Sequence, residues 1–150
     1  MKKSIRYILI IVASSMFILG LSSFNLLRPT PMANQSPVAK PAFITIFGTS
    51  ENVLPNGSTY TGHVTLTGAI NATGTFVMPT TLMGMALHCS FELSLPNGTI
   101  TIRMNCNMVT FNGVWHITDA TGIYSNVRGG GSLVMPNDLD EILTGTITGM

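Results

Sequence analysis

Two cysteines (Cys89, Cys106), three histidines (His63, His88, His116), the acids Asp138, Asp140 and Glu141, and Arg128 ahead of three glycines are the residues that invite a chemical reading. A zinc site needs its ligands gathered at short spacing. The histidines fall on separate segments, and the three acids read as a solvated turn after Pro136-Asn137. Nucleophilic catalysis needs a serine or cysteine activated by a neighbouring base, and the chain has no Gly-x-Ser-x-Gly motif. Arg128-Gly129-Gly130-Gly131 suggests an anion cradle, but no helix follows to aim amides at a phosphate. The residues alone therefore assign no catalytic group, no metal and no cofactor.

The segments that carry these residues are strands. Residues 85–108 form two runs around Pro96-Asn97-Gly98, and Asn-Gly is the strongest short-range signal for a two-residue hairpin loop. With Asn97 and Gly98 as that loop, Leu87, Cys89, Phe91, Leu93 and Leu95 share one face with Ile100, Ile102, Met104, Cys106 and Met108. A slip of one residue would scatter that face, so its parity is firmly specified. The same loop sets Glu92 opposite Arg103 and Cys89 opposite Cys106 in a non-hydrogen-bonded pair, where side chains approach most closely. The expectation is a Cys89–Cys106 disulfide, with two buried free thiols as the alternative.

Tyr60, Gly62, Val64, Leu66, Gly68 and Ile70 repeat the period of two. Strands are expected near 42–48, 59–70, 73–78, 84–95, 99–109, 113–118, 130–135 and 141–149, with no helical period after Pro41. Eight short strands imply an all-β, antiparallel eight-stranded barrel, with a β-sandwich as the alternative. A barrel leaves no exposed sheet edge.

Ahead of this domain, Lys2, Lys3 and Arg6 precede an apolar run from Tyr7 to Leu21, and Gly20 and Ser22 supply a small-x-small cleavage site. Residues 1–22 read as a secretory signal peptide, or as an uncleaved membrane anchor over residues 7–27. Residues 23–41, with four prolines, read as a tether, and residues 42–150 as the barrel domain. The expected location is secreted, periplasmic or in the cell envelope, with no membrane contact in the mature form unless the anchor stays. Charged residues are 9% of the whole chain, against about 25% in a usual soluble domain. Without residues 1–22, Arg28, Lys40, Arg103 and Arg128 stand against all six acids, a formal charge of −2. That balance excludes a strongly basic nucleic-acid binder.

Residues 113–133 read GVWHITDATGIYSNVRGGGSL, and Thr121-Gly122-Ile123-Tyr124-Ser125-Asn126-Val127-Arg128-Gly129 resembles the T-G-x-[FY]-x-x-[AL]-R-G signature of dirigent proteins. The stretch is also similar to that of allene oxide cyclases and of bacterial exported relatives. Leu143-Thr144-Gly145-Thr146-Ile147 is similar to the closing strand of that group. Asp119-Ala120 departs from the usual Gly-Gly. The resemblance implies an allene oxide cyclase-like barrel and a cation, Arg128, at a cavity mouth. Tyr124 and Asp119 complete that candidate ligand site; the alternative for Arg128 is an ion pair with Asp119 or a cap on loop carbonyls. Three functions follow: a non-catalytic exported barrel binding a small apolar ligand or a partner, a cofactor-independent isomerase or stereochemical guide, and a purely structural envelope or surface protein.

Overall fold

A computed structural model describes residues 40–150; the expected export segment and nearly all of the tether lie outside the described residues. Eight strands follow one another: β1 (Ala42–Val53), β2 (Thr59–Gly68), β3 (Ala72–Met83), β4 (Ala86–Leu95), β5 (Gly98–Asn107), β6 (Asn112–Ala120), β7 (Arg128–Val134) and β8 (Asp140–Thr148). Each pairs antiparallel with the next, and β8 returns to β1, closing the barrel. The sandwich alternative is thereby excluded. A 3-10 turn, Gly122–Tyr124, interrupts the passage from β6 to β7.

Alternation fills the interior. Ile44, Val64, Phe76, Leu93, Ile102, Trp115, Leu133 and Leu143 point inward from successive strands and are buried. Each such side chain contributes about 1.5–3 kcal/mol through apolar burial. Thr, Ser and Asn occupy many of the outward positions, which keeps the wall polar with few charges. Two strands run well past their expected ends, and β6 continues to Ala120. β1 continues to Val53 through an irregularity between Ser50 and Asn52. β3 passes through Pro79: its pairing with β4 skips Met78 and Pro79 and resumes at Thr80 with Cys89. One missing N–H interrupts the ladder without ending the strand.

The β4–β5 hairpin corrects the expected register. Leu95 pairs with Gly98, so the loop is Pro96-Asn97, and every partner shifts by two residues. Cys89 faces Met104, Cys106 faces Leu87, Glu92 faces Thr101 and Arg103 faces Ser90. Cys89 and Cys106 are buried free thiols, not a disulfide. Proline explains the shift. With Asn97-Gly98 as the loop, Pro96 would flank it and owe a ladder N–H that it lacks. Inside the loop, its fixed φ suits the first central position of a type II turn, and Asn97 takes the positive φ, 71°, of the second. A shift of two preserves the faces: Cys89, Phe91, Leu93, Leu95, Ile100, Ile102, Met104 and Cys106 are buried in the core as expected, while Leu87 and Met108 at the end of that face are only half-buried.

Candidate functional site

The barrel has two unlike ends. One gathers the β4–β5 turn and the β6–β7 connection, and it is closed. Gly122, at φ 62°, lies so close to this turn that a Cβ would strike the Asn97 carbonyl oxygen. Ile123 donates its backbone N–H to the same carbonyl, at 3.2 Å. The Tyr124 hydroxyl donates to the Pro96 carbonyl, at 3.1 Å. Thr121 Oγ1 accepts the Thr99 backbone N–H, at 3.0 Å. Val127 is fully buried beneath this layer. The Arg128 guanidinium folds back onto the carbonyls of Ser125 and Val127, at 3.1 and 2.7 Å. The structure thus brings Tyr124 and Arg128 to one loop, with Tyr124 buried and Arg128 exposed. Asp119 is an exposed residue of β6, paired with Thr101. None of the three lines the cavity described next.

The opposite end is open. A cavity of about 520 Å³ opens there, a size typical of small-molecule sites. Tyr60 from β2, Met78, Thr80 and Leu82 from β3 and Leu87 from β4 form its wall. Met108, Met135, Gly57, Ser58 and Asp138 belong to the loops at its mouth, and Glu141 of β8 completes it. Leu54, Met83, Met85, Val109, Phe111 and Leu139 stand exposed on the surrounding loops and strand ends, so the mouth has an apolar rim.

Glu141 is the chemically distinctive residue of this cavity. It is 1% exposed. Its strand neighbour across the β1–β8 ladder is Gly48, where a Cβ would come within 2.9 Å of both Glu141 Oε2 and the Phe91 ring. The absent side chain is what makes room for the carboxyl. Ser50 donates its hydroxyl to Oε1 at 3.3 Å, while Oε2 is buried with no hydrogen-bond partner. Below it, the Phe76 and Phe91 rings pack tilted, centroids 4.6 Å apart. Burial in this apolar setting pushes the Glu141 carboxyl up to about 7; the Ser50 hydrogen bond opposes the shift and nearby Asp140 adds to it. Burial, then Glu141 and Cys106, push the Cys89 thiol up to about 12. Cys89 is therefore an inert neighbour, not a nucleophile.

Asp140 is held differently: Thr49 and Asn137 donate to its two oxygens, at 3.0 and 2.8 Å. Only Glu141 turns inward. The expectation of a solvated acidic turn thus fits the exposed Asp138 and fails for Glu141. A signal was available: Glu141, Leu143, Gly145 and Ile147 share one parity, and Leu143 and Ile147 are core residues. Alternation carried one step further back places Glu141 in the interior.

No protein-family model matches the chain, and the search of curated proteins returned no significant match. Among solved structures, the chain is similar to the pterocarpan synthase dirigent protein GePTS1, with 12% sequence identity over 81% of this chain and 94% of that chain and a TM-score of 0.47.

Proposed function

We propose that the barrel binds a small, largely apolar molecule in its open-end cavity, with the polar group of that molecule placed against Glu141. One observation carries this reading. The lining of a cavity of about 520 Å³, walled mainly by Met, Leu and Tyr side chains, includes Glu141, a buried carboxyl with one oxygen, Oε2, that no group among the described residues satisfies. An unpartnered buried polar atom is costly, and a ligand group that reaches it recovers the missing hydrogen bond. Tyr124, Arg128 and Asp119 enter this reading as parts of the far end rather than as ligand contacts. The basic and apolar N-terminal segment supports an exported protein. A purely structural envelope role calls for a barrel filled by its own side chains, and the cavity speaks against it.

Native mass spectrometry of the protein purified from its own host tests the proposal. The expected result is an adduct that disappears in Thr80→Trp, a variant whose indole fills the cavity. Bare protein that also fails to take up any of a panel of small apolar compounds would overturn it.

A second reading, a cofactor-independent isomerase or stereochemical guide of dirigent or allene oxide cyclase type, is favoured by Glu141 itself. A carboxyl near 7 exchanges protons readily at neutral pH. Incubating the bound molecule with the protein in D2O separates the two. Deuterium appearing at a carbon position, and not with Glu141→Gln, supports proton transfer; its absence leaves binding alone.

A further inference from the structure

Resting on the binding reading above, we infer that the cavity selects a lipophilic amine, bound as its ammonium ion with the charged nitrogen at Glu141 and the apolar remainder along the methionine and leucine wall. Three features of the site favour a cation over a neutral or anionic group.

The charges within reach have one sign. Glu141 lies inside the cavity and Asp138 at its mouth, and neither Lys, Arg nor His lines it. Among the described residues, Lys40, Arg103 and Arg128 are all exposed. His63 is tied to Glu51 on the outer face, at 2.8 Å. His88 and His116 are also exposed on outward positions of β4 and β6. No cation among the described residues is placed to pair with Glu141, and an anionic ligand would meet repulsion from Glu141 and Asp138.

The carboxyl is also half-satisfied. Oε1 has the Ser50 hydroxyl, whereas Oε2 is buried without a partner. A protonated amine offers up to three N–H donors, and its charge stabilises the ionised carboxylate that burial otherwise disfavours. The walls suit the rest of the molecule. Tyr60 presents an aromatic ring, and Met78, Met108 and Met135 present polarisable thioethers. These surfaces accept alkyl and aryl groups and tolerate a nearby cation.

Binding would be linked to protons. The titratable groups around Glu141 are the Cys89 thiol on β4, itself near Cys106 on β5, Asp140 on its own strand, and Tyr60 and Asp138, which share the cavity lining. The Cys89 thiol stays neutral. Below neutral pH, Glu141 starts protonated; an arriving ammonium displaces that proton to solvent and leaves an ion pair. Amine affinity should therefore rise as pH climbs from 5 to 8, with proton release at the acidic end.

Calorimetry of the whole barrel with 4-phenylbutylamine and its neutral counterpart 4-phenylbutanol tests this. The expected result at pH 7.5 is at least tenfold tighter binding of the amine. At pH 6, titrations in buffers of different ionisation enthalpy should show release of a proton fraction approaching one. In Glu141→Gln, the tenfold advantage should vanish while the alcohol still binds. Alcohol binding as tight as the amine in the unaltered protein overturns the cation reading and leaves the binding reading intact. An amine advantage that persists in Glu141→Gln overturns the assignment to Glu141. Absence of binding by either compound removes both readings.

Discussion

At the residue scale, Glu141 costs the fold stability, and the size and sign of that cost can be measured. Its carboxyl stands near 4.5 when exposed and is pushed up to about 7 in the barrel. Between those values the folded protein holds a proton that the unfolded chain has released. The folded state is therefore favoured at low pH, and stability falls as pH rises through the folded value. Above it, the penalty reaches about 3 kcal/mol. Glutamine at this position cannot ionise, so urea unfolding of Glu141→Gln should show a weaker pH dependence. Relative to the unaltered protein, the variant should gain about 2 kcal/mol between pH 5 and pH 8. Equal slopes would mean that water reaches the carboxyl in the folded state. Cys89 and Cys106 give a second prediction. Denatured without reductant, the protein should titrate two free thiols. In the folded state, Cys89 should alkylate far more slowly than an exposed cysteine, because burial keeps its thiol protonated. Finding no free thiol would restore the disulfide and move the β4–β5 register by two.

At the element scale, the face of each strand was readable and the register of one hairpin was not. The period of two sorts Leu87 through Met108 correctly whether the loop is Asn97-Gly98 or Pro96-Asn97, because the alternatives differ by two residues. The choice rests on a backbone donor that Pro96 lacks, a finer signal than hydrophobic alternation. The stretch around Gly122 has a similar lesson. The Thr121–Gly129 resemblance was visible in the sequence, but the sequence did not tell whether it forms a site or a brace. In the structure, Gly122, Ile123 and Tyr124 bind the Pro96-Asn97 turn. Gly122→Ala should therefore destabilise the barrel by about 2–4 kcal/mol through strain and displaced backbone, while leaving ligand affinity at the far end nearly unchanged. Asn97→Val should cost about 1–2 kcal/mol, since a β-branched residue resists the positive φ of this turn. Asn97→Gly should be close to neutral. Thermal or urea unfolding of the three variants checks the order.

At the scale of the whole molecule, the all-β, eight-stranded content was legible from alternation and turn residues, and the pairing of β8 with β1 decides for a closed barrel over a sandwich. Which end stays open was not legible. That depends on whether each end's loops reach across the barrel, and Tyr124 and Val127 do so at one end only. Glu141 was hidden for a different reason: it is the first residue of its expected strand and reads as part of the acidic turn unless the alternation of Leu143 and Ile147 is carried back to it. The proposed function turns on the open end being a binding cavity. Its most direct test is a ¹³C-methyl methionine NMR titration with 4-phenylbutanol. Met78, Met108 and Met135 line the cavity, Met83 and Met85 stand on the exposed rim, and Met104 is packed in the core. The three cavity methyls should shift together and saturate, and Met83, Met85 and Met104 should move little. Shifts confined to Met83 and Met85, rising without saturation, or no shift at all, would contradict the proposed function.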